Sequence, residues 1–125
     1  MAKVSKAIIP IAGLGTRFLP LSKVLPKELF PLVDKPVLEY IIEEVLASGI
    51  KNIIFVSRPG KKLILDYFAE QKLPFSQVLQ KKPLGDGHAV LQAKSLIKNE
   101  PFAVLFGDDV VESKTPCLKQ LLAVF

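Results

Sequence analysis

Cysteine and histidine are nearly missing from this chain: its 125 residues hold one of each, Cys117 and His88. A lone cysteine excludes an intramolecular disulfide and a cysteine-rich zinc site. Cys117 follows Pro116 at an expected helix start and reads as a helix residue, because the only histidine lies in a different motif. Long apolar runs are missing too. None approaches the about 20 residues that a membrane-spanning helix needs, and the opening residues lack the charged-then-apolar pattern of a secretory signal. A reducing, cytoplasmic setting without a membrane is therefore the expectation. Acidic residues are outnumbered, 12 to 17, for a net charge of +5. Yet there is no dense basic stretch with interleaved aromatics, only pairs such as Lys61-Lys62 and Lys81-Lys82. The expected anion is a small phosphorylated ligand, not nucleic acid. Repeats, low-complexity tracts and linkers are absent as well, which predicts residues 1–125 to be one domain or a large part of one.

Half the residues are hydrophobic, enough for a core, and ten are prolines. Apolar runs alternate with helical patterns, the signature of an α/β protein with a mostly parallel sheet. Strands are predicted at 6–11, 52–57, 75–80 and 102–106. A first helix is predicted from Pro36, with Val37, Leu38, Ile41, Ile42, Val45 and Leu46 as its apolar stripe. A second, 61–70, turns Leu63, Ile64, Tyr67 and Phe68 inward. A third opens at Gly85-Asp86-Gly87 and buries Ala89, Val90, Ala93, Leu96 and Ile97. A last helix has Thr115 as N-cap and Pro116 at its first position, with Leu118, Leu121, Leu122 and Val124 along it.

The chemistry is concentrated at the start. The apolar run Ala7 to Ile11 breaks into Ala12-Gly13-Leu14-Gly15-Thr16-Arg17, a strand emptying into a turn whose glycines let backbone N–H groups approach an anion. Arg17 adds a planar cation suited to phosphate oxygens, and Lys23 and Lys27 follow. The first third of the chain reads as a nucleoside-triphosphate site.

Gly13-Leu14-Gly15-Thr16-Arg17, then Pro26-Lys27-Glu28-Leu29-Phe30-Pro31 and Asp34-Lys35-Pro36, resemble the signature of the sugar-nucleotide pyrophosphorylases. Within that family they are nearest to the bacterial enzymes that transfer a uridylyl group from UTP to glucose 1-phosphate. The resemblance covers essentially the whole chain and corresponds to the N-terminal part of the family. It implies a Rossmann-like nucleotide-diphospho-sugar transferase fold with flanking helices, left incomplete at the C-terminus, and homo-oligomers at full length. It also implies that the stretch between Phe68 and Gln80 is shorter here than is usual.

Nucleotidyl transfer asks the protein to align two anions, hold a divalent metal and neutralise developing charge. The resemblance implies phosphate binding by Ala12 to Arg17, with Ala12 and Gly13 against the nucleoside and Gly15 and Thr16 in the cradle. Arg17 would meet the leaving pyrophosphate; its alternative is a surface salt bridge. Lys27 would neutralise the reacting phosphates. Lys23 stands open between such a role and a solvated lysine, and Lys35 is unassigned. Glu28, Gln80 and Gly87 would contact the nucleotide, Gln80 because its amide both donates and accepts, as a uracil or thymine edge requires. Asp108 would bind Mg²⁺ at a strand end, with Asp109 turned away; the alternative is an Asx turn or capping pair. The sugar-phosphate contacts and a second metal-binding aspartate are expected downstream, so transfer by residues 1–125 alone is not. His88 reads as a packing or hydrogen-bonding residue.

Two departures bear on the nucleotide. Gly107 stands where the uridylyltransferases usually have proline, as in thymidylyltransferases, and Asp86 stands where an apolar residue is expected. The alternatives are therefore a glucose-1-phosphate thymidylyltransferase or related pyrophosphorylase, and a non-catalytic regulatory or assembly subunit with the same fold. A dinucleotide-dependent oxidoreductase fits less well: the third glycine of its motif is missing, and no acidic residue ends the second strand to hold a ribose.

Overall fold

The computed structural model describes residues 3–125. Four strands, β1 (Lys6–Pro10), β4 (Asn52–Ser57), β5 (Phe75–Leu79) and β6 (Phe102–Val104), form one parallel sheet in the order β5-β4-β1-β6. A short antiparallel pair, β2 (Pro31–Leu32) and β3 (Lys35–Pro36), lies in the long connection after β1. The helices are α1 (Val37–Ala47), α2 (Lys62–Glu70), α3 (Asp86–Gln92), α4 (Lys94–Ile97) and α5 (Cys117–Val124). None is long and apolar enough to cross a membrane.

The strands are apolar runs without alternation because both faces of the sheet are covered. Ala7, Ile9, Ile53 and Phe55 face α1, α2 and α5 through Leu38, Ile41, Val45, Ile64, Phe68 and Leu118. The intervening Ile8, Ile54 and Val56 face α3 and α4 through Ala89, Ala93 and Ile97. This is the predicted α/β architecture, a mostly parallel sheet with helices on both sides.

Several local expectations are corrected. Leu46 and Leu63, predicted to point inward, are exposed, since the buried stripe of each helix is narrower than its run of apolar residues. The third helix is two: Ala93 interrupts it and α4 ends at Lys98, whose φ is 55°. Pairing of β6 stops at Val104, although Leu105 N–H still donates to Ile8 O at 3.1 Å. Thr115 is not the N-cap of α5. Pro116 occupies that position, and the N–H of Leu118 is capped from another helix, donating to the Glu44 carboxylate at 2.8 Å. Pro36 likewise precedes α1. On α5 Leu118 is buried, while Leu121 and Val124 are exposed.

A second link between helices lends itself to measurement. The Tyr67 hydroxyl of α2 donates to the Glu39 carboxylate of α1 at 2.8 Å, and this bond pushes the phenol pKa upward. Folding therefore favours the protonated phenol. The stabilisation is present below the unfolded value of about 10 and is lost as pH rises through the higher folded value. Tyr67→Phe is expected to cost about 1 kcal/mol at neutral pH. The difference from the parent protein, measured by urea denaturation, should shrink above pH 10.

Candidate functional site

The strands of a parallel sheet end at one side, and ligands gather there. Here the loops after β1, β5 and β6 enclose a cavity of about 350 Å³ at those ends. Ala12, Gly13 and Thr16 form one wall, Lys27 and Glu28 another, Gln80 a third and Asp108 a fourth. Seven of the expected site residues thus meet in one place.

The connection from β1 to α1 is a string of three 3₁₀ turns, Thr16–Phe18, Leu21–Lys23 and Lys27–Leu29. Prolines at 20, 26 and 31 deny it a longer helix. Gly15 has φ 65°, and a Cβ there would lie 3.1 Å from Ser22 Cβ. Ser22 Oγ donates to the Gly15 carbonyl at 2.7 Å. Gly15 thus folds the turn back on itself and does not line the cavity. The residues it carries are spread out as a result. Arg17 and Lys23 are exposed and, like Gly87, lie outside the cavity wall.

Lys27 is better placed. Its Nζ meets Asp108 Oδ2 at 3.2 Å, bridging the β1 and β6 loops. Asp109 does not reach the cavity, in keeping with only one of the adjacent carboxylates facing the site. Gly107, just before them, is buried; a Cβ there would approach Leu38 Cδ1 at 3.2 Å and Glu28 Cγ at 3.4 Å. Its smallness lets the Asp108 loop close down on Glu28.

Glu28 is buried, and Lys61 Nζ donates to its Oε2 at 3.0 Å. Glu28 lines the cavity through a carboxylate already held by a buried lysine. Lys61, which the sequence presents as half of a basic pair, is the clearest residue missed: only Lys62 is solvated, 3.7 Å from Asp66. Lys35, left unassigned, pairs with Glu43 at 2.6 Å and lies over the Tyr40 ring, away from the site.

Gln80 is buried, and its amide nitrogen donates to the Gly85 carbonyl at 3.1 Å and lies 2.9 Å from His88 Nδ1. The bond to Gly85 takes one amide hydrogen, and the contact with His88 depends on which imidazole nitrogen carries the proton. The Gln80 amide oxygen is left to accept from a ligand. His88 is held between two glutamines, with Gln92 Nε2 3.3 Å from its other ring nitrogen, and has the hydrogen-bonding role expected of it. Gly85 and Asp86 also line the cavity; the glycine-rich spelling of 85–87 was their only signal in the sequence.

A phosphate-sized anion entering this cavity would meet Lys27 and the glycine turn, and Asp108 offers one oxygen donor for a hard cation. Among the described residues no group of three His, Cys, Asp or Glu side chains could hold a metal by itself. A single carboxylate with ligand oxygens and water nevertheless suits Mg²⁺, which keeps several waters and binds through few protein groups.

Known proteins share this fold. The Nucleotidyl transferase family matches residues 6–125. The UTP--glucose-1-phosphate uridylyltransferase of Staphylococcus epidermidis (strain RP62A) is 46% identical over 149 residues, covering 100% of this chain and 52% of its own length. That of Staphylococcus haemolyticus is 45% identical with the same coverage. Among solved structures, a UDP-glucose pyrophosphorylase complexed with UDP-glucose superposes with a TM-score of 0.87 at 38% identity, over 97% of this chain and 53% of that one. A UTP-bound UGPase from Acinetobacter baumannii gives 0.83 at 35% identity, over 97% and 52%. The chain spans about half the length of the curated relatives it matches. Its 125 residues take up 149 aligned positions, so 24 of them (149 − 125) have no residue here. A parallel sheet with a strand-end cavity, structural matches at TM-scores above 0.8 and a family match over nearly the whole chain agree: the chain belongs to the nucleotidyl transferase family.

Proposed function

We propose that the chain carries the nucleotide-binding part of an enzyme that transfers a uridylyl group from UTP to glucose 1-phosphate, giving UDP-glucose and pyrophosphate. The observation that supports this most directly is the meeting of Lys27 and Asp108, 81 positions apart, at 3.2 Å on the wall of the cavity that also holds Gln80. The printed names of the relatives supply the substrates. In this reading an oxygen of the sugar phosphate attacks the α-phosphorus in line as the bond to the bridging β-phosphate oxygen breaks. The nucleophile is already anionic, so no protein base is required. Lys27 neutralises the reacting phosphates, backbone N–H groups of the glycine turn orient them, and Arg17 on its exposed turn reaches the leaving pyrophosphate. Asp108 would hold Mg²⁺, which when bound neutralises phosphate charge. The proposal extends, on the resemblance, to a cytoplasmic homo-oligomer.

Calorimetric titration with Mg²⁺ present tests it. UTP is expected to bind more tightly than UMP, because the cations are placed for the outer phosphates, and more tightly than ATP, because the Gln80 oxygen on the cavity wall can accept from the uracil N–H. Lys27→Met should weaken UTP about tenfold. ATP binding as tightly as UTP, or no nucleotide binding at all, would refute the reading. Comparing UTP with dTTP separates uridylyl from thymidylyl transfer.

A further inference from the structure

By its charge alone the cavity is a poor place for a triphosphate. Among the described residues four charged side chains line it, the carboxylates of Glu28, Asp86 and Asp108 against the one cation Lys27. Asp86 and Asp108 are exposed, so water and salt screen them. Glu28 is buried, where a charge acts most strongly on its neighbours. It also follows Lys27 directly, on the same 3₁₀ turn.

Lys61 answers that charge from behind the wall. It does not line the cavity. From the loop between β4 and α2 its Nζ donates to Glu28 Oε2 at 3.0 Å, and both side chains are almost wholly buried. The α1 helix packs on the same turn, but its carboxylates are engaged elsewhere. Glu39 accepts from Tyr67, Glu43 pairs with Lys35 and Glu44 caps Leu118. Lys27 Nζ is directed elsewhere too, 3.2 Å from Asp108 Oδ2 and 3.9 Å from the place of a Cβ on Gly13. The stem of Glu28 is fixed as well. A Cβ on Gly107 would approach its Cγ at 3.4 Å, so the loop that carries Asp108 rests on it. Holding the Glu28 carboxylate therefore steadies both partners of the Lys27–Asp108 pair.

We infer that Lys61 is a positioning residue for the nucleotide phosphates. It neutralises Glu28 and holds that carboxylate off Lys27, so the one cation on the cavity wall stays available to phosphate. The inference rests on the nucleotide reading proposed above. Without the Lys61 charge, Glu28 would stand uncompensated beside the cavity and compete with phosphate for its neighbour's ammonium. That penalty grows with the charge of the ligand, which a loss of packing does not.

The test compares UTP with UMP by calorimetry in the presence of Mg²⁺. Lys61→Gln keeps a hydrogen-bond donor for Glu28 and removes the positive charge. The preference for UTP over UMP is expected to fall about tenfold, the size of effect that one close charge has on another. Adding Glu28→Gln removes the stranded carboxylate and should recover most of that preference, whatever the absolute affinities. An unchanged ratio in Lys61→Gln, or a parallel loss of both nucleotides, would overturn the inference and leave Lys61 a structural residue. Where Lys61→Gln does not fold, as followed by circular dichroism, the double variant decides. A UTP-to-UMP ratio well below the parent's would then overturn the inference, and a ratio near the parent's supports it. A parent protein that binds UTP no better than ATP and UMP would refute the nucleotide reading instead, so the two failures are distinct.

Discussion

Lys61→Met is expected to lower stability by about 3–5 kcal/mol, much of the 5–15 kcal/mol typical of a folded domain. Lys61 and Glu28 are both almost wholly buried, and their ion pair spans 3.0 Å. Removing the lysine leaves a buried carboxylate without its partner. The pair ties the Lys27–Leu29 turn to the start of α2, so the damage extends to the cavity wall. Urea denaturation of the single variant and of Glu28→Met/Lys61→Met together makes the argument specific. Once the stranded charge is gone, much of the loss should be recovered, because a buried ion pair contributes little beyond an apolar pair of similar volume. A double variant as unstable as the sum of the two singles would show that the residues are uncoupled. A cost under about 1 kcal/mol for Lys61→Met would show that the pair behaves as a surface salt bridge.

Asp108→Asn should change the sign of its effect with the metal. With Mg²⁺, UTP affinity is expected to fall about tenfold or more, because the amide keeps the size of the carboxylate and loses the charge that attracts the cation. Without Mg²⁺, the same substitution should tighten UTP. The carboxylate then only repels the triphosphate and occupies Lys27 Nζ, 3.2 Å away, and its removal frees the lysine for phosphate. Asp109→Asn should do little in either condition, since Asp109 does not line the cavity. Metal titrations that give Asp109 the larger, metal-dependent effect would move the metal ligand to that residue. Loss of affinity in Asp108→Asn that is equal with and without Mg²⁺ would point to a packing role.

The β4 strand was legible to the residue, 52–57, because a strand covered on both faces is written as a continuous apolar run. The α1, α2 and α5 helices were legible within a residue or two from their apolar spacing. The glycine turn and Lys27 were visible as phosphate-binding chemistry because permissive backbone and cation lie close together in the chain. What the sequence determined alone is local: it depends on residues within a turn or two of each other. The tertiary structure decided which of those residues share a site. It paired Lys27 with Asp108 across 81 positions and Lys61 with Glu28 across 33, and it left Arg17 and Lys23 on exposed turns, off the cavity wall. It also placed Gly85 and His88 against the Gln80 amide. A charged side chain looks the same in a sequence whether it is solvated or buried, and an amide looks the same whether its hydrogens are free or spent. Only the folding of distant segments against one another fixes its dielectric surroundings and its partners, and those set its function.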